Sequence, residues 1–428
     1  ITYVQTNPTV AMDAAGGYVV VWQSTGQDGD LEGIFAQRYD SNGTALGSAW
    51  QVNTEAANDQ SYPAIAMDAA GNFVITWQSE AQDQASSWGI YAQRYSADGT
   101  ALGSEFLVNT SSKQNNQNYP DIAMDSSGNF VIVWQGDGVG DSNGVFGQRF
   151  NNLGVAQGSE FLINTYITDT QWQASVDMNA SGEFVVTWSS NLQDGDSWGV
   201  YAQVFNADGS VNGSEFQVSD VTTGSQGNAA VVMKDNGEFV ISWRTGDIYA
   251  RVFDASGTAL TSDFAVNTTT AGLQTKFDLA LTDDGGFIAT WGSPGQDISM
   301  QKFDWSGTPI GAETQVNSTV GGTQVEPAIA SNANGDYVVL WRYDFAVPNN
   351  GVYAQHYVNP DLLFSIGDGA DDSSMTLTGT LADINKVLDG LTFTPTPGYN
   401  GPATVTITTD DQGNTGTGGA LIDDDTVN

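Results

Sequence analysis

Gly17-Tyr18-Val19-Val20-Val21-Trp22 returns six more times along the chain, with its tryptophan at Trp77, Trp134, Trp188, Trp243, Trp291 and Trp341. The intervals are 55, 57, 54, 55, 48 and 50 residues, and the residue four before each tryptophan is always Tyr or Phe. Seven copies at a period near fifty are the mark of a repeat architecture. Within the stretch, strand alternation puts Tyr18, Val20 and Trp22 on one face and Val19 and Val21 on the other. Both sets are apolar, so this strand is covered on both faces, as an inner strand between neighbouring repeats must be. The seven tryptophans are therefore expected to pack between repeats rather than to bind a ligand.

Working outward, the second repeat shows the shared plan. Pro63–Met67 is a short apolar run, and Asp68-Ala-Ala-Gly71 is a turn in which the aspartate caps its own backbone. Asn72–Trp77 and Gly89–Tyr95 both alternate, a second turn follows at Ser96–Gly99, and Glu105–Val108 closes the unit. That is four strands per repeat, rich in aromatic and β-branched residues, and no stretch among the repeats has helical periodicity. Four antiparallel strands repeated seven times predict an all-β seven-bladed β-propeller over residues 1–358.

The third strand carries Tyr91-Ala-Gln-Arg-Tyr95 and its relatives, with the cation at Arg38, Arg94 and Arg149 giving way to Val204, Val252, Lys302 and His356. A structural bond to the next blade is the expected role of this position. Blades one to six end in a strand of the type Phe106-Leu-Val-Asn-Thr110, which is missing after Tyr357. Two segments compete to close blade seven: Ile1–Thr6, which is preferred, and Leu362–Ile366.

Fifty acidic residues face 11 Lys plus Arg, giving a net charge of -39. That excludes nucleic acid and anionic membrane surfaces, which need cations to displace counterions. It favours divalent cations, cationic partners or a salty medium. There is no cysteine, hence no disulfide, thiolate metal site or thiol nucleophile. No run reaches the ~20 apolar residues of a membrane-spanning helix, so direct membrane insertion is not expected. The chain begins at Ile1 and is read as a processed chain or a fragment.

Beyond residue 358 the repeat stops. Strand-like runs at Leu362–Ile366, Ser374–Thr378, Leu391–Thr394 and Ala403–Thr408 surround one expected helix, Leu381–Leu388, in a small domain over 359–428. Its segments Phe364–Asp372, Thr378–Asn385, Leu391–Pro395 and Asp411–Gly419 resemble bacterial cadherin-like domains of very large secreted and surface-bound proteins. The resemblance implies a β-sandwich-like domain that normally begins with further strands. The propeller stands in their place, so the missing half lies upstream of Ile1 or is supplied by another chain. Gly33–Tyr39, Asn42–Gly47 and the Val-Asn-Thr endings likewise resemble repeats of acidic, secreted, adhesin-type bacterial proteins, often accompanied by calcium-binding modules. That resemblance implies a secreted or cell-surface location.

Function is expected on the variable loops that follow strands two and four. Trp88, Trp172, Trp198, Tyr62 and Tyr119 lie on or beside them, and aromatic platforms among amides suit glycan or peptide binding. Calcium is the expected cofactor. Asp28 with Asp30, Asp194 with Asp196, and Asp137 with Asp141 offer oxygen ligands on loops, as do Asp368, Asp371 and Asp372 in the last domain. No nucleophile elbow, histidine pair or phosphate loop is present, so the expectation is a non-catalytic adhesion module. The alternative is a structural block that assembles with neighbouring copies of itself by strand complementation; a carbohydrate-active enzyme ranks third.

Overall fold

A computed structural model describes residues 3–83, 87–110, 115–270, 274–293, 297–318, 322–344 and 351–357, together with four strands nearer the C-terminus. The chain divides into two compact units, Ile1–Asn359 and Pro360–Asn428. The first is an all-β propeller of seven sheets spanning 5–51, 60–107, 117–162, 171–217, 227–265, 277–315 and 323–357. Six blades have four antiparallel strands in sequence order, and the seventh has three among the described residues.

The repeated stretch is the second strand of each blade, Tyr18–Thr25 in blade one. The aromatic four residues before each tryptophan pairs directly with an aromatic of the third strand, as Tyr18 does with Tyr39. In all seven blades the two rings stack, from 4.5 Å for Tyr337–Tyr357 to 5.2 Å for Phe239–Phe253. Directly opposed ring pairs of this kind fix strand register. The same face, with its tryptophan, packs on the preceding blade. Trp188 of blade four is fully buried against Ala123, Val131, Val133, Val145 and Ile163 of blade three. Seven such apolar clusters correspond to the seven blade–blade interfaces.

Polar ties repeat as well. Asp68 Oδ1 accepts the Ala70 and Asn72 amides, and Gly71 takes φ +83°, as the Asx turn requires. The guanidinium of Arg94 donates to the carbonyls of Leu153 (2.8 Å) and Asn152 (2.7 Å) one blade on. Arg149 does the same to Asp208 and Ala207, and Arg38 to Asp98. The arginine position is thus an inter-blade hydrogen bond to main chain. In the Val-Asn-Thr endings, Asn53 accepts the Ile34 amide at 2.8 Å and donates to Gln60 of the next blade at 2.9 Å. Glu105 reaches back to the Thr54 amide at 2.7 Å.

Closure of the ring differs from the expectation. Gln5 and Thr6 pair with Ser24 and Gln23 inside blade one, so they belong to its first strand, Gln5–Met12. Leu363–Ile366 pairs with Thr376–Thr378 instead of joining blade seven. Neither segment supplies a fourth strand. Blades one and seven meet through side chains: Val10, Tyr18, Val20, Trp22 and Phe35 pack on Ala328, Val338 and Leu340. The Asn7 amide donates to Glu326 at 2.8 Å and Val352 N–H to Gln5 at 3.3 Å. Apolar packing between whole blades closes the circle in place of a shared sheet.

The second unit contributes two described hairpins, Leu363–Ile366 with Thr376–Thr378 and Val405–Asp410 with Ile422–Val427. Three of its expected strand-like runs overlap these strands. The run Leu391–Thr394, the expected helix Leu381–Leu388, and Asp368, Asp371 and Asp372 lie outside the described residues.

Candidate functional site

A glutamine recurs at or just before the head of every blade's first strand: Gln5, Gln60, Gln117, Gln171, Gln226, Gln274 and Gln324. Two residues later the backbone turns left-handed in six of the seven, at Asn7, Tyr62, Tyr119, Gln173, Asn228 and Glu326, with φ between 48° and 57°. Each coincides with a shift of strand register, and a bulge of this kind re-aims a side chain. Lys276 holds the same place in blade six without the bulge. One side chain per blade, variously amide, aromatic or charged, therefore stands at the inner end of its sheet around the mouth of the central channel.

On blades two to four this mouth is aromatic. The Tyr62 and Tyr119 rings meet edge-on at 4.6 Å, Tyr119 lies 6.3 Å from Trp172, and Trp172 meets Trp198 edge-on at 5.8 Å. Four of the five expected ligand residues are thus brought into one continuous row. Tyr62, Tyr119 and Trp172 meet from one blade to the next, and Trp172 and Trp198 meet within blade four. Burial first, then Tyr119, then Glu32 and Glu326, push the Tyr62 hydroxyl up to about 12. Trp88 begins the third strand of blade two, its amide tied to Asn116 at 3.3 Å, and makes no ring contact with this row among the described residues. The sequence places these rings on loops. The structure puts Tyr62, Tyr119 and Trp172 inside first strands, with Trp198 opening a third strand.

Beyond the row, Trp172 and Trp198 wall a cleft of ≈ 350 Å³ that also touches Gln173, Asn228, Arg244 and Gly246. On blades six, seven and one the mouth is charged and tightly networked. Lys276 Nζ donates to Asn7 Oδ1 at 3.0 Å, and Arg342 donates to Glu326 at 3.0 Å and to Asp344 at 2.7 Å. Asn7 Nδ2 donates to Gln23 Oε1 at 3.0 Å, and Gln23 Nε2 donates to Glu32. Burial, then repulsion from Asp59, raises the Glu32 carboxyl. Burial also lowers the Lys276 ammonium, although its side chain remains open to solvent.

Deeper in the first strands stand three carboxylates. Asp121, Asp177 and Asp278 each accept the next residue's amide and, with the other oxygen, an amide of the next blade: Val176, Met233 and Ile329 at 2.7–2.9 Å. Burial outweighs these bonds and raises all three, Asp177 and Asp278 to about 7, with Asp121 repelling both.

The expected calcium loops look different. Asp28 and Asp194 cap their own turns through the Asp30 and Asp196 amides, while Asp30 and Asp196 hold the Asn58 and Gly224 amides of the next blade at 2.9 and 3.0 Å. Asp28 and Asp194 each keep one buried oxygen without a hydrogen-bond partner. Asp137 accepts from Asn115, and Asp141 accepts the Asn143 amide at 3.0 Å and Asn164 at 2.8 Å. No group of three or more metal-ligating side chains gathers among the described residues.

Sequence reasoning misses Glu32, Gln23, Arg244, Lys276, Glu326 and Arg342. A readable signal exists for Lys276 and Glu326: both stand two residues after the recurring glutamine, in the column that holds Tyr62 and Tyr119.

No family model and no curated protein sequence matches the chain. Solved structures share its fold. A protein of unknown function from Dyadobacter fermentans aligns with a TM-score of 0.50 at 10% identity, over 82% of this chain and 94% of its own. An α-L-arabinofuranosidase of Fusarium graminearum, solved with an iminosugar inhibitor, aligns at 0.50 and 11% identity, over 70% and 92%. An α-L-arabinanase of Penicillium chrysogenum, solved with arabinobiose, aligns at 0.47 and 13%, over 83% and 98%. At these identities the likeness is one of fold. It still corrects the expectation of a non-catalytic protein, because the scaffold is one on which a glycosidase is built and short motifs do not reveal its catalytic groups. The chain is an all-β seven-bladed β-propeller, and that arabinofuranosidase is similar to it in fold.

Proposed function

We propose that the propeller is a glycan-recognition protein that takes its ligand across the channel mouth. The observation that supports this is the aromatic row Tyr62–Tyr119–Trp172–Trp198, ending in a cleft edged by Gln173, Asn228 and Arg244. Sugar rings present one apolar face to an aromatic platform and directional hydroxyls to amides. Titration of oligosaccharides, neutral and acidic, by calorimetry or tryptophan fluorescence tests it. Trp172→Ala is expected to weaken binding by tenfold or more, about 1.4 kcal/mol, while Trp88→Ala leaves it unchanged. Saturable binding of peptides with none of glycans would sink the reading.

Turnover of the bound glycan is a second reading, favoured by the pair Glu32 and Glu326. Both lie near Tyr62 and are joined through Gln23 and Asn7. One carboxyl is raised by burial and the other is held by Arg342, and glycoside hydrolysis uses such unlike carboxylates as acid and base or nucleophile. Reducing ends released from a glycan that binds, and their loss in Glu32→Gln with binding intact, are the expected outcome. Turnover unchanged in that variant removes the pair from consideration. An extracellular setting with calcium on the outer loops accompanies the proposal. It rests on the acidic composition, and no rise in melting temperature on adding calcium would remove the metal from it.

A further inference from the structure

In a chain with 50 acidic residues and 11 Lys plus Arg, a cation left without a carboxylate is conspicuous. The other described cations are engaged by carbonyls, aromatic rings or carboxylates, and what sets Arg244 and Lys276 apart is their place at the channel mouth. Arg38, Arg94 and Arg149 dock on carbonyls of the next blade. Lys234 lies 3.6 Å from Glu238 and over the Trp305 ring, and Arg251 pairs with Asp220 at 2.6 Å. Lys302 covers the Tyr337 ring, and Arg342 pairs with Glu326 and Asp344.

Arg244 and Lys276 remain, and neither forms an ion pair among the described residues. Arg244 Nη1 donates to the Gln274 carbonyl at 3.0 Å and Lys276 Nζ to Asn7 Oδ1 at 3.0 Å, both neutral acceptors. They come from adjacent blades, and Gln274 is only two residues before Lys276. Arg244 lines the same cleft as Trp172 and Trp198.

Neither cation is hydrogen-bonded to a carboxylate, although Glu326 and Asp278 act on Lys276 through space. One guanidinium N–H of Arg244 is engaged, which leaves the planar fork able to take a carboxylate through two parallel bonds. Lys276 adds an adjacent point charge. Two cations from neighbouring blades offset part of the molecule's negative field here, and its remaining repulsion of anions is screened over roughly 8 Å at physiological salt. We propose that the mouth takes a carboxylate-bearing glycan, a uronic-acid oligosaccharide, with a sugar ring against Trp172 and Trp198 and its carboxylate on Arg244 beside Lys276. The inference rests on the glycan reading above and narrows it to one substrate class.

The test titrates the intact protein with galacturonate, glucuronate and mannuronate–guluronate oligosaccharides and with the same oligosaccharides carboxyl-reduced to neutral sugars. At least one acidic series is expected to bind tenfold or more tightly than its reduced form. Arg244→Gln should abolish the preference, the acidic and reduced forms then binding with equal affinity whatever that affinity has become. Lys276→Met should remove a smaller part of the preference. Unchanged melting temperatures establish that both variants are folded, and the preference, a ratio, is read within each. Equal affinity for acidic and reduced forms, or a preference intact in both variants, overturns the inference while leaving the glycan reading standing. Binding of no oligosaccharide of either kind overturns both.

Discussion

Trp188→Ala is expected to cost roughly 3–5 kcal/mol, the range for truncating a fully buried large aromatic, and to be the most damaging single substitution in the propeller. The reason is position as much as size. Trp188 is 0% exposed, sits on the second strand of blade four and fills the interface with blade three. A propeller made of successive blades is held by these interfaces, each contacting only its neighbours. A void at one of them weakens the only continuous apolar contact on that side of the blade. Trp188→Phe should cost distinctly less. It keeps most of the ring volume and removes an indole N–H that is buried without a hydrogen-bond partner. Leu192→Ala, at a site 48% exposed, should stay within about 0.5 kcal/mol of the parent. Urea unfolding followed by tryptophan fluorescence measures all three. A Trp188→Ala midpoint equal to that of Leu192→Ala would show that the tryptophan is not what joins the blades.

The same packing logic explains what is legible in the sequence. A blade needs an inner strand that is apolar on both faces, so Tyr-Val-Val-Val-Trp repeats and can be counted. The inter-blade role of Arg38, Arg94 and Arg149 is readable because a rare cation recurs in phase. Blade closure misleads for a physical reason. Val4-Gln5-Thr6 looks like a Val-Asn-Thr ending, and a short string cannot distinguish an outer strand from the start of an inner one. The glutamine that recurs at or just before the head of every first strand assigns Gln5 correctly. The aromatic residues stand out on chemistry alone, and four of them meet. Two of them, Tyr62 and Tyr119, stand at the bulge of the inner strand, visible in sequence only as the second residue after the recurring glutamine. Trp172 lies one residue before that bulge, and Trp198 opens a third strand. The charged side of the mouth is invisible for a different reason. Lys276 touches Asn7 across 269 residues, a neighbour relation set by ring closure and not by spacing.

Lowering the pH from 8 to 5.5 is expected to make the propeller more stable, by a few kcal/mol, through Asp177 and Asp278. An aspartate ordinarily titrates near 3.8, and burial, reinforced by repulsion from Asp121, raises these two to about 7. Between those values the native protein binds protons that the unfolded chain does not, so stability falls as pH rises across the interval. The contribution is fully present below about 3.8 and is lost as pH passes about 7. Each tenfold gain in proton affinity on folding is worth about 1.4 kcal/mol, which sets an upper bound of about 4 kcal/mol for each group. Between pH 8 and 5.5 only part of that is gained, because the interval from about 7 down to 3.8 is not fully crossed. The net charge of -39 pushes in the same direction, because carboxylates that stay protonated repel less. Salt separates the two causes. Surface repulsion fades at about 0.5 M NaCl, where screening acts over about 4 Å, whereas buried carboxylates are screened far less. The pH dependence of the urea midpoint should therefore persist at high salt. In the double variant Asp177→Asn, Asp278→Asn it should flatten. That variant begins from a lower baseline, since an amide oxygen replaces only one of two acceptors, so the slope with pH is the quantity to compare. A parent protein whose midpoint at high salt is flat from pH 5.5 to 8, or rises with pH, would mean that these carboxylates are ionised throughout and that their backbone amides outweigh burial.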